Sequence, residues 1–149
     1  MTEKAIKTHG LTRELLKYKG AKKASEGQLK ILLNFLNEKK DLPIVAHFAK
    51  YDRDQVLLPT FKRLGMEKMM PPVERWRCTF EEAERVPDVK IRDLDTLLEH
   101  FGFEARDEDV LHNAVLDCQL TAKVYMELMK LPPRKVSELG FENKWTKDE

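Results

Sequence analysis

The run Pro43-Ile-Val-Ala-His47 constrains this chain more than any other segment. It is apolar, entered through a proline and too short for a helix, so it reads as a buried strand. A buried strand needs neighbours. One other segment, Arg75-Trp-Arg-Cys-Thr-Phe80, alternates well enough to qualify. Two strands are too few to make a stable sheet on their own. The spacing therefore predicts an α/β chain that is rich in helices and short of strands.

The helix signals are stronger. Thr12 is placed as an N-cap, with Leu11 and Leu16 as a hydrophobic staple, for a short helix reaching about Tyr18. Ser25-Glu-Gly-Gln28 is a capping box, and Leu29, Leu32, Leu33 and Leu36 follow at helical spacing. Lys39 and Lys40 are expected in that helix's last turn, where they complement the dipole. A further helix is expected from about Lys50 to Leu64, stopped by Gly65 and kinked or split by Pro59. Glu81 to Val86 reads as a short helix ended by Pro87. Asp93 then caps a helix carrying Leu94, Leu97, Leu98 and Phe101, with Gly102 as its stop.

The longest pattern runs from Leu111 to Met129. Ala114, Val115, Cys118, Ala122, Tyr125 and Met129 recur close to helical period and define the expected packing face. His112 and Asp117 lie off that stripe. On one continuous helix, five residues turn about 140° past a full revolution, so the two side chains would diverge. They converge only if His112 sits at or just before the helix start. Leu131-Pro132-Pro133 ends the pattern, which divides the chain into a domain over 1–131 and a tail over 132–149.

A chain of 149 residues is most simply one domain with a real core. Its net charge of +1 advertises no global field for nucleic acid, but the charge is uneven. Residues 1–23 carry seven Lys/Arg against Glu3 and Glu14, whereas residues 81–110 carry eleven acidic residues against four basic ones. Cys78 and Cys118 have no metal-ligand spacing and read as small buried hydrophobes in a reducing compartment. No apolar run is long enough to span a membrane and no signal-peptide core is present, so the expected location is the cytoplasm, away from membranes.

Two segments carry candidate chemistry. In Val45-Ala-His47-Phe-Ala-Lys-Tyr-Asp52 a buried strand leads into a helix, and α/β folds place their sites at such carboxyl edges. His47-Phe48-Ala-Lys-Tyr51-Asp52 resembles the His-Asn-x-x-Phe-Asp motif of the DEDD exonuclease superfamily, in its histidine-containing, DnaQ-like branch. His112-Asn-Ala114-Val-Leu-Asp117 resembles the His-x-Ala-x-x-Asp motif of the same family. His9-Gly10-Leu11-Thr12 is similar to a His-Gly-Ile-Thr segment there. Trp76 to Thr79, and Asp93 to Gly102, resemble the strand and helix ahead of the last motif. The resemblance covers about residues 5–130.

It implies a ribonuclease H-like fold and hydrolysis of nucleic-acid phosphodiester bonds from the 3′ end of single-stranded DNA or RNA. The implied cofactors are two Mg²⁺ or Mn²⁺ ions, about 3.5–4 Å apart, that activate water and stabilise the leaving oxygen. Asp52 and Asp117 would be metal ligands and His112 the general base. His47, Phe48 and His9 would lie against substrate, with Phe48 standing where the family has asparagine.

The family's first motif, Asp-x-Glu on a central strand, has no match. Asp52/Asp54, Asp93/Asp95 and Asp107-Glu-Asp109 follow no apolar strand, and Asp93 is better explained as a cap. The implied fold is therefore N-terminally truncated, lacking its first central strands, and inactive as this chain alone. Ile44–Ala46 would present an unpaired apolar edge, prone to self-association or to pairing with a chain that supplies the strands. The alternative is a non-catalytic module, derived from an exonuclease fold, that binds nucleic acid or protein.

Overall fold

The structure, a computed structural model, describes residues 3, 6, 7, 10–104 and 113–133. Helix α1 (Arg13–Tyr18) starts where Thr12 Oγ1 accepts from the Leu15 N–H at 3.0 Å. Helix α2 (Glu26–Glu38) opens on the expected capping box, with Ser25 and Gln28 each bonding the other's backbone N–H. Lys39 is its C-cap and Lys40 lies beyond, so neither occupies the last turn. That end is tied down by Arg75, whose guanidinium donates to the carbonyls of Leu36, Lys39 and Leu42.

Strands β1 (Ile44–Ala46) and β2 (Trp76–Cys78) form a parallel pair, with Val45 opposite Arg77. Parallel strands need a crossover, and here it is helical. Tyr51–Leu57 is a π-helix that passes directly into α3 (Leu58–Arg63). Pro59 has no N–H for the carbonyl four residues back, and its ring crowds that carbonyl. It stands in the first turn of α3, where the missing donor costs least. The expected split thus occurs as a change from wide to regular turns.

Gly65 (φ 66°) and Gly102 (φ 75°) end helices in the left-handed conformation that glycine adopts most easily. In both places the paired bonds of a Schellman motif form: Met66 to Phe61 and Gly65 to Lys62, then Phe103 to Leu98 and Gly102 to Glu99. After β2 the chain departs from expectation. Thr79 and Phe80 do not extend the strand but begin α4 (Thr79–Glu82), where Glu81 and Glu82 complement a helix N-terminus. A 3₁₀ turn, Ala83–Arg85, completes it. Helix α5 (Leu94–His100) has Asp93 as N-cap, its Oδ1 accepting from Thr96 N at 2.8 Å. Helix α6 (Ala114–Lys130) is capped by Asn113, whose Oδ1 accepts from the N–H groups of Val115 and Leu116.

Two apolar clusters hold these elements. Leu29 and Leu33 of α2 meet Phe61 and Met66 in one. The other joins Ala83, Val86, Leu94, Leu97, Leu98, Leu120, Val124 and Leu128. Each fully buried leucine there contributes about 1.5–3 kcal/mol. Arg85 bridges the end of this second cluster, pairing with Glu82 at 2.7 Å and donating to the Leu131 carbonyl.

The packing face of α6 is not the expected one. Leu120, Thr121, Val124 and Leu128 are buried, while Val115 is 69% and Met126 63% exposed, and Cys118 and Ala122 are also exposed. Both faces of this helix are apolar, and the core takes the one carrying the larger aliphatic side chains. The cysteine expectation fails with it: Cys118 is exposed and Cys78 only half-buried. Among the described residues, no helix is long and apolar enough to cross a membrane.

Candidate functional site

The second apolar face of α6 borders a cleft of about 640 Å³, within the range of ligand-binding pockets. Val45 and Ala46 of β1 line one side, and Ala114, Cys118, Ala122 and Tyr125 of α6 another. Where β1 ends, His47, Phe48 and Asp52 reach the same space. Asp117, from the first turn of α6, and Asp93 and Asp95, from the start of α5, also line it. The carboxyl end of a parallel strand and the first turns of two helices therefore meet at one acidic cleft.

Asp52 and Asp117 come from segments sixty-five positions apart, and the fold brings both to this cleft. Asp52 occupies the π-helix, a wide-turned element found often at functional sites. Burial pushes its carboxyl group above the ordinary carboxylate range, against a smaller opposing hydrogen bond from its own backbone. Its near neighbour Asp54 is different. The Arg53 guanidinium grips that carboxylate with bonds of 2.7 and 3.0 Å and holds its pKa below the usual value. Asp52 and Asp54 are thus separated in role, and Asp93 is committed to its cap.

His47 sits at the end of β1 with Nδ1 2.8 Å from Thr79 Oγ1. Its Nε2 is buried and makes no hydrogen bond among the described residues. Burial lowers the pKa of the imidazole, with Asp93, Asp95 and the Arg92 backbone opposing the shift. Phe48 follows with φ 61°, a conformation uncommon for a bulky side chain. It stacks on Phe80, ring centroids 4.2 Å apart, while the His47 ring meets it edge-on at 4.9 Å. Phe48 nonetheless remains 44% exposed.

Of the residues singled out from sequence, His47, Phe48, Asp52 and Asp117 share the cleft; His9 and His112 lie outside the described residues. Helix α6 begins at Ala114, after the Asn113 cap. The sequence reading sets Asp95 aside and does not single out Thr79 or Phe80 as site residues. Asp95 had a signal in its pairing with Asp93, whereas Thr79 and Phe80 were read as strand. Among the described residues, no three His, Cys, Asp or Glu side chains stand close enough together to hold a metal ion.

Comparison with protein-family models, with curated proteins and with solved structures finds no match for this chain.

Proposed function

We propose that this chain is an exonuclease-type domain of ribonuclease H-like ancestry, which engages the 3′ end of single-stranded DNA or RNA at the acidic cleft and does not hydrolyse it unaided. The observation that carries the reading is convergence. The two segments that resemble exonuclease motifs deliver Asp52 and Asp117 to one cleft at the carboxyl end of β1. Phe48 adds support. The resembled motif has asparagine at that position, and asparagine tolerates the φ of 61° that phenylalanine resists. Its exposed ring offers a surface on which a terminal base can stack.

Hydrolysis is a separate matter. Two carboxylates suit one hydrated Mg²⁺, which takes one or two from protein and keeps its waters. Two-ion chemistry needs a larger donor set than the described residues bring together. That shortfall favours the binding-module reading for this chain by itself.

The test uses 5′-labelled single-stranded DNA and RNA. Anisotropy should report binding that depends on added Mg²⁺ and weakens in Asp117→Ala. The labelled strands should stay full length in Mn²⁺. Shortening that EDTA and Asp117→Ala both abolish would overturn the claim of inactivity. Absence of binding to either strand, with or without metal, would overturn the nucleic-acid reading.

A further inference from the structure

Away from the cleft, the stretch Lys17-Tyr-Lys-Gly-Ala-Lys-Lys23 is basic and carries one aromatic ring. Tyr18 is 89% exposed. Lys19, Lys22 and Lys23 are exposed too, and among the described residues none of them is in an ion pair. Lys22 and Lys23 also stand just before the N-terminus of α2, where the helix dipole disfavours a cation. Glu14 is the one carboxylate between residues 13 and 24, and Glu26 beyond them is taken by Lys30 at 2.6 Å. Packing accounts for neither the ring nor the lysines.

The fold sets this stretch against a second basic segment. Helix α1 closes at Gly20 (φ 66°), with Ala21 donating to the Leu16 carbonyl and Gly20 to that of Lys17, so the chain turns back. From α3, Arg63 donates to the Ala24 carbonyl at 2.6 Å, which brings the last turn of α3, with Lys62 and Arg63, to the Lys22-Lys23 loop. No carboxylate in α3 offsets those charges, and Glu67, the next along the chain, is followed by Lys68. Like charges gathered in this way repel each other, and a polyanion relieves the repulsion. The patch also lies on a direct path from the cleft. Helix α3 continues the π-helix that holds Asp52, so the two are about 16 Å apart or less along one helical rod. A stacked nucleic-acid strand advances about 3.4 Å per nucleotide, and about five nucleotides span that distance.

We propose that Tyr18, Lys22, Lys23 and Lys62 form a track for the backbone and bases of a single-stranded nucleic acid whose 3′ end lies in the cleft. An exposed ring among lysines is the pairing that sequence-tolerant single-strand binding uses, the cations following the phosphates while a base stacks on the ring. The track rests on the nucleic-acid reading of the cleft.

Anisotropy of a 5′-labelled twelve-nucleotide strand in Mg²⁺ tests it. Lys22→Gln/Lys23→Gln/Lys62→Gln should weaken binding at least about tenfold at about 0.1 M salt and reduce the slope of log affinity against log salt by about 2. Tyr18→Ala should weaken binding about fivefold and leave that slope unchanged. All four side chains are exposed, so these variants keep the fold. Neutral methylphosphonates in the 5′ half of the strand should remove the effect of the triple variant, whereas methylphosphonates in the 3′ half should not. The reverse pattern would overturn the track. Unchanged affinity and slope in the triple variant, with Asp117→Ala still weakening binding, would overturn the track and leave the cleft reading intact. A loss in the triple variant beside none in Asp117→Ala would support the track and count against the cleft. Failure of the unmodified chain to bind would overturn both.

Discussion

The two faces of α6 are both apolar, yet they serve different ends. Leu120, Val124 and Leu128 are buried against α5 and the Ala83–Val86 region, and the last two have no exposed surface. Ala114, Cys118, Ala122 and Met126, on the same helix, border a cleft with four aspartates around it. The first face has large side chains fitted to fixed partners. The second, Tyr125 and Met126 aside, has small ones beside β1. Apolar character alone therefore does not identify a core. Size and the presence of a partner do, and on this helix they separate the face that stabilises the fold from the face available for binding.

The sharpest way to break that contrast is truncation on each side. Leu128→Ala should cost about 2–5 kcal/mol, since it removes buried methyl groups and leaves a cavity. Met126→Ala should stay within about 0.5 kcal/mol. Urea denaturation of the two variants decides the matter. Equal losses would mean that the cleft face is packed after all.

Much of the first region was legible from sequence. Thr12, Ser25 and Asp93 announced helix starts, because a short oxygen-bearing side chain before an apolar stripe has few other uses. Gly65 and Gly102 announced their ends for the complementary reason. Pro59 announced a discontinuity, though a proline does not reveal whether the chain bends or widens into a π-helix. The cleft was harder to see. Asp52 and Asp117 were found by motif, but the neighbours that tune the site come from elements distant in sequence. Thr79 was misread because strand alternation continues into it, while its actual role depends on His47, thirty-two residues earlier. The α6 packing face was misjudged because periodicity reports that a face is apolar, not which of two apolar faces meets the core.

A smaller effect should separate the cleft from the core by pH. His47 titrates below its ordinary value because it is buried. The unfolded chain, with an imidazole pKa near 6.5, then binds more protons than the folded one just below that pH. Its contribution to stability is complete above about pH 6.5 and is lost as pH falls toward the lowered folded value. His47→Gln should flatten the slope of stability against pH in that window, whereas Leu128→Ala should lower stability without changing the slope. Denaturation midpoints from about pH 5 to 8 would show the difference. An unchanged slope in His47→Gln would place the pH response elsewhere.

The smallest effect concerns Phe48, where backbone and side chain pull in opposite directions. Holding a bulky residue at φ 61° costs on the order of 1–3 kcal/mol, while its stack on Phe80 returns about 0.5–1.5 kcal/mol beyond simple burial. Asparagine relieves the first and forfeits the second. Phe48→Asn should therefore leave stability within about 1 kcal/mol of the parent, by partial cancellation of those two terms. Phe48→Ala relieves less strain and loses the same stack, so it should be the less stable of the two. If Phe48→Ala instead matched or exceeded Phe48→Asn in stability, the left-handed backbone would not be what selects the residue here.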